Sequence, residues 1–288
     1  MRLGYLGPEG TFSHAALLAS PRARGAQAVA FGTERETILA AQAGAVDAAL
    51  VPIENALEGG VNATLDTLAL DAPGVWIVGE EILPITHALI ARPGLGEEAI
   101  EVVVSHPQPL GQCRRFLAEH LPGRRLVAAT STAEAVRTVA GSAEPWAAIG
   151  PSTAAALHGC EVLREGIEDE HGNETRFLWI AGEATPGSAT PPPWPAPDTG
   201  TRWKTSIVFH GAGDDSPGWL VRCLSELAFR GLNLVRIESR PLKRRLGHYL
   251  FVVDFEGRED EPRVAAAITG LRVHCEQVRV LGTYPAAL

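Results

Sequence analysis

Short apolar runs alternate with amphipathic stretches along the first 183 residues of this chain. Residues 3–6 read as a strand, followed by a Gly/Pro turn and a helix over residues 11–19. Residues 35–42 carry a helical pattern that stops at Gly44, 47–53 form a buried strand, and 61–70 form another helix. From Val75 to Ala91 the chain reads as mostly extended, interrupted at Pro84. The alternation then resumes, with strands at 101–104, 126–129 and 146–149 and helices at 108–120, 132–140 and 152–157. Strands alternating with helices predict an α/β unit with a mainly parallel sheet. The long extended stretch predicts two lobes, with residues 177–181 returning to the first. A ligand would then sit in the cleft, beside strand ends and helix N-termini.

Six of the 21 prolines fall between Pro186 and Pro197, a density that sustains neither helix nor ladder hydrogen bonds. A domain boundary is expected there. Beyond it the pattern becomes strand 205–210, helix 216–230, strand 233–239, a polar turn, strand 248–255, helix 262–271 and strand 276–282. That is β-α-β-β-α-β, the ferredoxin-like order. The organisation predicted is residues 1–183 as one domain, with lobes of about 1–76 plus 158–183 and 77–157. A Pro-rich linker follows at 184–203, and a second domain at 204–288.

Charge is unevenly divided. Residues 1–183 hold 12 basic and 23 acidic side chains, a net of −11, within a whole-chain charge of −9, so nucleic acid and anionic membranes are poor partners. The only lysines are Lys204 and Lys243, so Schiff-base chemistry, a lysine-held pyridoxal phosphate and a P-loop are excluded from residues 1–183. Cys113, Cys160, Cys223 and Cys275 are far apart with no CxxC pair, which suits reduced thiols rather than a disulfide or zinc framework. No apolar run reaches the ~20 residues of a membrane span, and no secretory leader is evident; a cytoplasmic location is expected.

Four Gly/Pro-marked polar turns stand at strand ends. Gly7-Pro8-Glu9-Gly10-Thr11-Phe12-Ser13 opens a helix that Thr11 or Ser13 can cap, and free amides at such an end favour an anion. Val51-Pro52-Ile53-Glu54-Asn55-Ala56-Leu57-Glu58-Gly59-Gly60-Val61 is a strand end, a polar turn and a helix start, with Asn55 offering both donor and acceptor. Ser105-His106-Pro107-Gln108 starts a helix, with Ser105 as its natural cap and Gln112 about two turns on. Asn173-Glu174-Thr175-Arg176-Phe177 offers a hydroxyl, a permanent cation and an apolar ring. A cleft lined by these groups suits a small carboxylate. His158, Cys160, Asp169 and His171 match no metal-ligand spacing, and the serine-hydrolase G-x-S-x-G is absent.

Together these segments resemble prephenate dehydratases. Residues 7–13 match the family's GPxGTFS, 52–55 its PIEN, 105–108 with Gln112-Cys113 its SHPQ…QC, and 175–177 its TRF. After the spacer, Pro217-Gly218-Trp219-Leu220 and Glu238-Ser239-Arg240-Pro241 resemble the signatures of an ACT regulatory domain. The resemblance implies a two-lobed, periplasmic-binding-protein-like α/β catalytic unit followed by a ferredoxin-like ACT domain. It implies a carbon–oxygen lyase of phenylalanine biosynthesis that turns prephenate into phenylpyruvate, with loss of CO2 and the ring hydroxyl, and with no cofactor or metal.

Carried onto this chain, the resemblance makes Thr175 the hydrogen-bond donor to the departing hydroxyl. Arg176 would pair with a substrate carboxylate, Phe12 and Phe177 would wall the ring, and Asn55, Ser105 and Gln112 would orient the substrate. The amides of Thr11, Phe12 and Ser13 would receive its anionic end. Phenylalanine as allosteric effector would meet Ser216, Pro217, Gly218, Trp219, Leu220, Asn233, Leu234, Glu238 and Ser239, in a dimer or tetramer. Two positions depart from the family pattern: Ala56 replaces its usual serine, and Trp219 replaces a small residue in the regulatory helix. Arogenate dehydratase, or a non-catalytic amino-acid sensor, fits the same residues.

Overall fold

The structure, a computed structural model, describes residues 1–183, 202–211 and 216–287; the expected Pro-rich spacer lies almost wholly outside them. In chain order, β1 (Arg2–Leu6), α1 (Phe12–Ala19), β2 (Gln27–Phe31), α2 (Glu34–Gln42), β3 (Ala48–Asn55), β4 (Gly59–Gly60) and α3 (Asn62–Asp66) come first. After a π-helical turn at Thr67–Asp71 follow β5 (Val75–Pro84), β6 (Ala88–Ala91), β7 (Val102–Ser105), α4 (Pro107–Gln112), α5 (Arg114–His120) and β8 (Arg125–Ala128). Then come α6 (Thr132–Gly141), β9 (Trp146–Gly150), α7 (Ser152–His158), β10 (Glu161–Glu165) and β11 (Glu174–Gly182). The remainder is β12 (Trp203–His210), α8 (Trp219–Ala228), β13 (Leu234–Pro241), β14 (Tyr249–Glu256), α9 (Pro262–His274) and β15 (Gln277–Pro285).

The chain divides into two compact units. One comprises Met1–Thr33, Glu54–Gly59 and Ile82–Phe177; the other comprises Glu34–Ile53, Gly60–Glu81 and Leu178–Leu288.

In the first unit β1 and β2 pair in parallel, Arg2 opposite Gln27 through Leu6 opposite Phe31. A five-stranded sheet runs in the order β10-β6-β9-β7-β8. Its side chains alternate between two apolar layers. Ile90, Val104 and Ala148 pack with Val136 and Ala154 of α6 and α7, while Leu89, Val103 and Ile149 pack with Cys113 and Leu117 around α5. Cover on both faces explains why the three inner strands, β6, β9 and β7, are almost wholly apolar. The sheet is mixed rather than mainly parallel: β7 is parallel to β8 and β9, but β6 is antiparallel to β9 and β10. The physical reason is the connection. β7, β8 and β9 follow one another through helices and run parallel, whereas β6 arrives on extended chain, so no strand–helix–strand crossover sets its direction.

Three local expectations are corrected. The helix expected over 108–120 is broken at Cys113 (φ −117°, ψ 25°), and α5 takes its cap from outside, with Arg115 N–H donating to both carboxylate oxygens of Asp169 at 3.0 and 3.2 Å. Ser105 does not cap α4. Its hydroxyl donates to Ile149 O at 2.7 Å, and His106 Nδ1 accepts from Gln108 N–H instead. The helix expected over 61–70 loosens after Asp66 into the π turn.

In the second unit a four-stranded antiparallel sheet runs in the order β13-β14-β12-β15. α8 and α9 cover one face, closing a core of Ile207, Phe209, Trp219, Leu227, Val253, Phe255, Ile268 and Leu271. Trp219 is turned inward: its Nε1 donates to His274 O at 2.6 Å and its ring meets Phe209 and Phe251. Elsewhere this sheet meets residues 60–81. Arg240 Nε lies 2.8 Å from Asp66 Oδ1, and Lys204 Nζ lies 2.7 Å from the buried Glu80. Arg279 donates to the carbonyls of Leu68, Ala69 and Ala72, capping the π turn. At Gly282 any Cβ would stand 2.1 Å from Ile77 O, so only glycine permits this approach. Among the described residues no helix is long and apolar enough to cross a membrane.

Candidate active site

The candidate catalytic residues all fall in the first unit, and the geometry sorts them into two sets. Thr175 enters β11 half-buried, two residues after the buried Asn173. Asn55, at the end of β3, reaches both. Its Nδ2 donates to Thr175 Oγ1 at 2.9 Å, to Asn173 Oδ1 at 2.8 Å and to Glu174 O at 3.2 Å. Its Oδ1 accepts the backbone N–H groups of Leu57 and Glu58, both at 3.0 Å, which fixes the amide orientation. Since Nδ2 can only donate, Thr175 Oγ1 is the acceptor, and the hydroxyl proton is left to point at a ligand.

The network continues from that turn. Gln112 Nε2 donates to Glu58 Oε1 at 3.0 Å, and Gln112 Oε1 lies 2.8 Å from His87 Nε2. The His87 ring stands edge-on to Phe12, with centroids 5.5 Å apart. Thr175, Asn55, Gln112 and Phe12 are therefore brought together by hydrogen bonds and one ring contact. Thr11 caps α1, its Oγ1 accepting from His14 N–H at 3.3 Å while donating toward Pro8 O at 3.0 Å. That cap sets Phe12 and Ser13 in the first turn, where backbone amides have no intrahelical acceptor.

The other set is committed to the interior. Ser105 is fully buried on Ile149 O, Phe177 is 1 % exposed in the core, and Ser13 is buried. The Arg176 guanidinium is also buried, with Nε 2.8 Å from Glu54 Oε1, so a substrate carboxylate would have to share it with Glu54. Cys113, the neighbour of Gln112, is fully buried, and burial together with Asp169 and Glu168 pushes its thiol up to about 12, far from a nucleophile's range.

Sequence reasoning did not single out His87, and reached Glu54, Glu58 and Asn173 only as members of their segments. Nothing local marks His87: it sits in the extended stretch, and only the fold brings it 25 positions across to Gln112. Burial holds its pKa below the ordinary histidine value, against the opposing Gln112 bond and Glu168 charge.

A hollow of about 870 Å³ also opens in this unit. Gly7, Pro8 and Glu9, the α6 N-terminus at Thr130–Glu134, Arg137 and His158 are among its lining residues; Thr175 and Asn55 are not. At Gly10 (φ +83°) a Cβ would come within 3.3 Å of Ala154, so the turn beside this hollow needs glycine on both counts. Among the described residues no cluster of three or more His, Cys, Asp or Glu could hold a metal ion.

Thr175 thus presents one polarised hydroxyl donor, and the first turn of α1 offers backbone amides that suit a small anion. Comparison with known proteins agrees with that chemistry. The chain is 40% identical, over 286 residues, to a prephenate dehydratase of Amycolatopsis methanolica, covering 99% of this chain and 89% of that one. The crystal structure of a prephenate dehydratase from Arthrobacter aurescens in complex with L-Phe superposes with a TM-score of 0.87 at 37% identity, covering 99% of this chain and 90% of that one. A second structure, GqqA, described as a novel type of quorum quenching acylase, superposes at 0.85 with 30% identity, covering 100% of this chain and 98% of its own. A model of the family described as prephenate dehydratase matches residues 3–185, and on these findings the chain belongs to the prephenate dehydratase family.

Proposed function

We propose that this chain converts prephenate to phenylpyruvate, losing CO2 and the ring hydroxyl, and that L-phenylalanine regulates it. Aromatisation supplies the driving force, so three tasks fall to the protein: hold two carboxylates, assist the departing hydroxyl, and keep water from stabilising the carboxylate that leaves. The observation that carries the reading is the Asn55–Thr175 hydrogen bond, with Asn55 as donor. It turns the Thr175 proton outward as a donor to the leaving oxygen. Threonine has no pKa near neutrality, so its part is to polarise and position rather than to transfer a proton outright. Gln112, Phe12 and the first-turn amides of α1 orient the substrate, and Arg176, shared with Glu54, supplies the cation. Ser105 and Phe177 act from the core, by holding the strands that carry the site.

The described relative GqqA raises acyl hydrolysis as a rival. A nucleophilic hydroxyl needs a base to take its proton, whereas Thr175 Oγ1 is met by a donating amide. The geometry favours dehydration.

The regulatory reading rests on residues 204–288 as a ferredoxin-like ACT domain, with 1–183 as the catalytic domain and 184–203 as linker. Supporting it are the β-α-β-β-α-β order and the antiparallel sheet order. A cavity of about 270 Å³, lined by Ser216, Gly218, Trp219, Leu220, Tyr249 and Phe251 among others, suits one aromatic amino acid. Pro217, Asn233, Leu234, Glu238 and Ser239 do not line it. Their place in the reading is the face of a second subunit, which the exposed Val221, Phe229, Val235 and Ile237 would help to cover.

Incubating the purified chain separately with prephenate, arogenate and an acylated amine decides the activity. Phenylpyruvate from prephenate is expected. Phenylalanine from arogenate alone would shift the substrate, acyl cleavage alone would favour the rival, and no turnover would leave a sensor.

A further inference from the structure

His87 is 1 % exposed, takes no part in the dehydration as derived above, and ends the hydrogen-bond network that begins at Thr175. Its protonation state follows from its neighbours. Glu58 Oε1, a carboxylate oxygen, can only accept, so Gln112 must turn its Nε2 toward Glu58 and its Oε1 toward His87. Gln112 Oε1 in turn accepts, so His87 Nε2 carries the proton. The other ring nitrogen, Nδ1, is buried with no hydrogen-bond partner among the described residues. Protonating it would create a second buried donor with nothing to receive it. The backbone fixes the ring's position as well, because His87 N–H donates to Glu168 Oε2 at 2.9 Å.

We propose that His87 is a positioning residue for the dehydration: as the Nε2–H tautomer it fixes the amide of Gln112 and, through Glu58 and the Asn55 turn, the direction in which the Thr175 hydroxyl donates. The connection is continuous. Gln112 holds Glu58, the N–H of Glu58 donates to Asn55 Oδ1, and Asn55 Nδ2 donates to Thr175. Without the Nε2–H donor, the Gln112 amide is free to flip and offer its donor to the ring side. Glu58, exposed on its turn, then loses its partner. The edge contact of His87 on Phe12 ties the same residue to the wall at the α1 end of the site. A neutral, buried imidazole performs this task at any pH near neutrality, and burial lowers its pKa in support of that state.

The inference rests on the dehydratase reading, and the experiment separates the two. Steady-state turnover of prephenate would be measured for the full-length wild type, His87→Phe and His87→Gln. Phenylalanine fills the apolar space without a donor, and glutamine places an N–H near the former Nε2. The Phe variant is expected to lose about 10- to 100-fold in kcat with KM changed less than about threefold, since misorientation acts on the transition state. The Gln variant is expected within about fivefold of wild type. Because the Phe variant can also fail to fold, ¹⁵N NMR of the wild type reads the tautomer independently, and Nε2–H is required. Absent turnover in the wild type overturns the dehydratase reading. An active wild type with both variants equally affected, or an Nδ1–H tautomer, overturns the role of His87.

Discussion

Replacing Thr175 by valine removes one hydroxyl and keeps the shape, so it isolates the donor that the site is built to present. Oγ1 is only one of three acceptors for Asn55 Nδ2, and Asn173 Oδ1 at 2.8 Å and Glu174 O remain when it is gone. The folded state therefore loses one shared hydrogen bond, costing about 1 kcal/mol, or a fall of roughly 2–4 °C in melting temperature. The transition state loses more. A preorganised donor to an oxygen that gathers charge is worth about 2.7–4 kcal/mol, which is about 10²- to 10³-fold in kcat. Turnover would be followed by phenylpyruvate formation from prephenate, beside thermal unfolding of the same samples. Thr175→Ser, which keeps the hydroxyl, should stay within about tenfold of wild type. A Thr175→Val variant that unfolds normally and retains more than about a third of wild-type kcat would refute the donor argument outright.

Other expectations follow from the same geometry. Stability should fall on mild acidification. Burial lowers the pKa of His87 and of His14, so below about pH 6.5 the unfolded chain binds protons that the folded chain refuses. Melting temperature should be level above that pH and drop beneath it, less steeply in His87→Phe; a flat profile in the wild type would contradict this. Asp66→Asn removes the anion facing Arg240 and Lys243, each 2.8 Å away, and should blunt the response of turnover to L-phenylalanine while calorimetry still detects binding. An undiminished response would clear Asp66 of any part. Calorimetry should also find that Leu220→Arg, on the wall of the 270 Å³ cavity, abolishes L-phenylalanine binding. Gly10→Ala, forced to φ +83° and toward Ala154, should destabilise by about 1–3 kcal/mol in denaturant titration.

The sequence revealed the strands whose apolar runs are unmistakable, and concealed those that rely on context. β9 is buried along four of its five residues and was plain in the pattern. β2 and β10 lie at sheet edges and no residue of either is fully buried, so their pairing comes from neighbours rather than from period-two burial. The motif residues were legible because turns, caps and hydroxyls leave signatures over a few positions. What those residues do with their hydrogen bonds was not. Asn55 meets Thr175 across 120 positions and Arg176 meets Glu54 across 122, so whether a side chain faces a ligand or a partner of its own is decided by long-range contact. Ser105 shows this most clearly: a good helix cap by sequence, it is drawn into the sheet by the carbonyl of Ile149.

The approach at Gly282 carries a lesson about inheritance. There the backbone of β15 runs so close to the carbonyl of Ile77 that not even a methyl group fits between them. Nearby, the buried Glu80 receives both the Lys204 ammonium and the amide of Ala287. The C-terminal sheet and residues 60–81 are thus moulded to one another atom by atom. A cassette borrowed from a cousin with a bulkier residue opposite Ile77 would jam against it, and a chain cut at residue 183 would leave a raw carboxylate where a salt bridge stood. Either side of this contact can therefore change only together with the other.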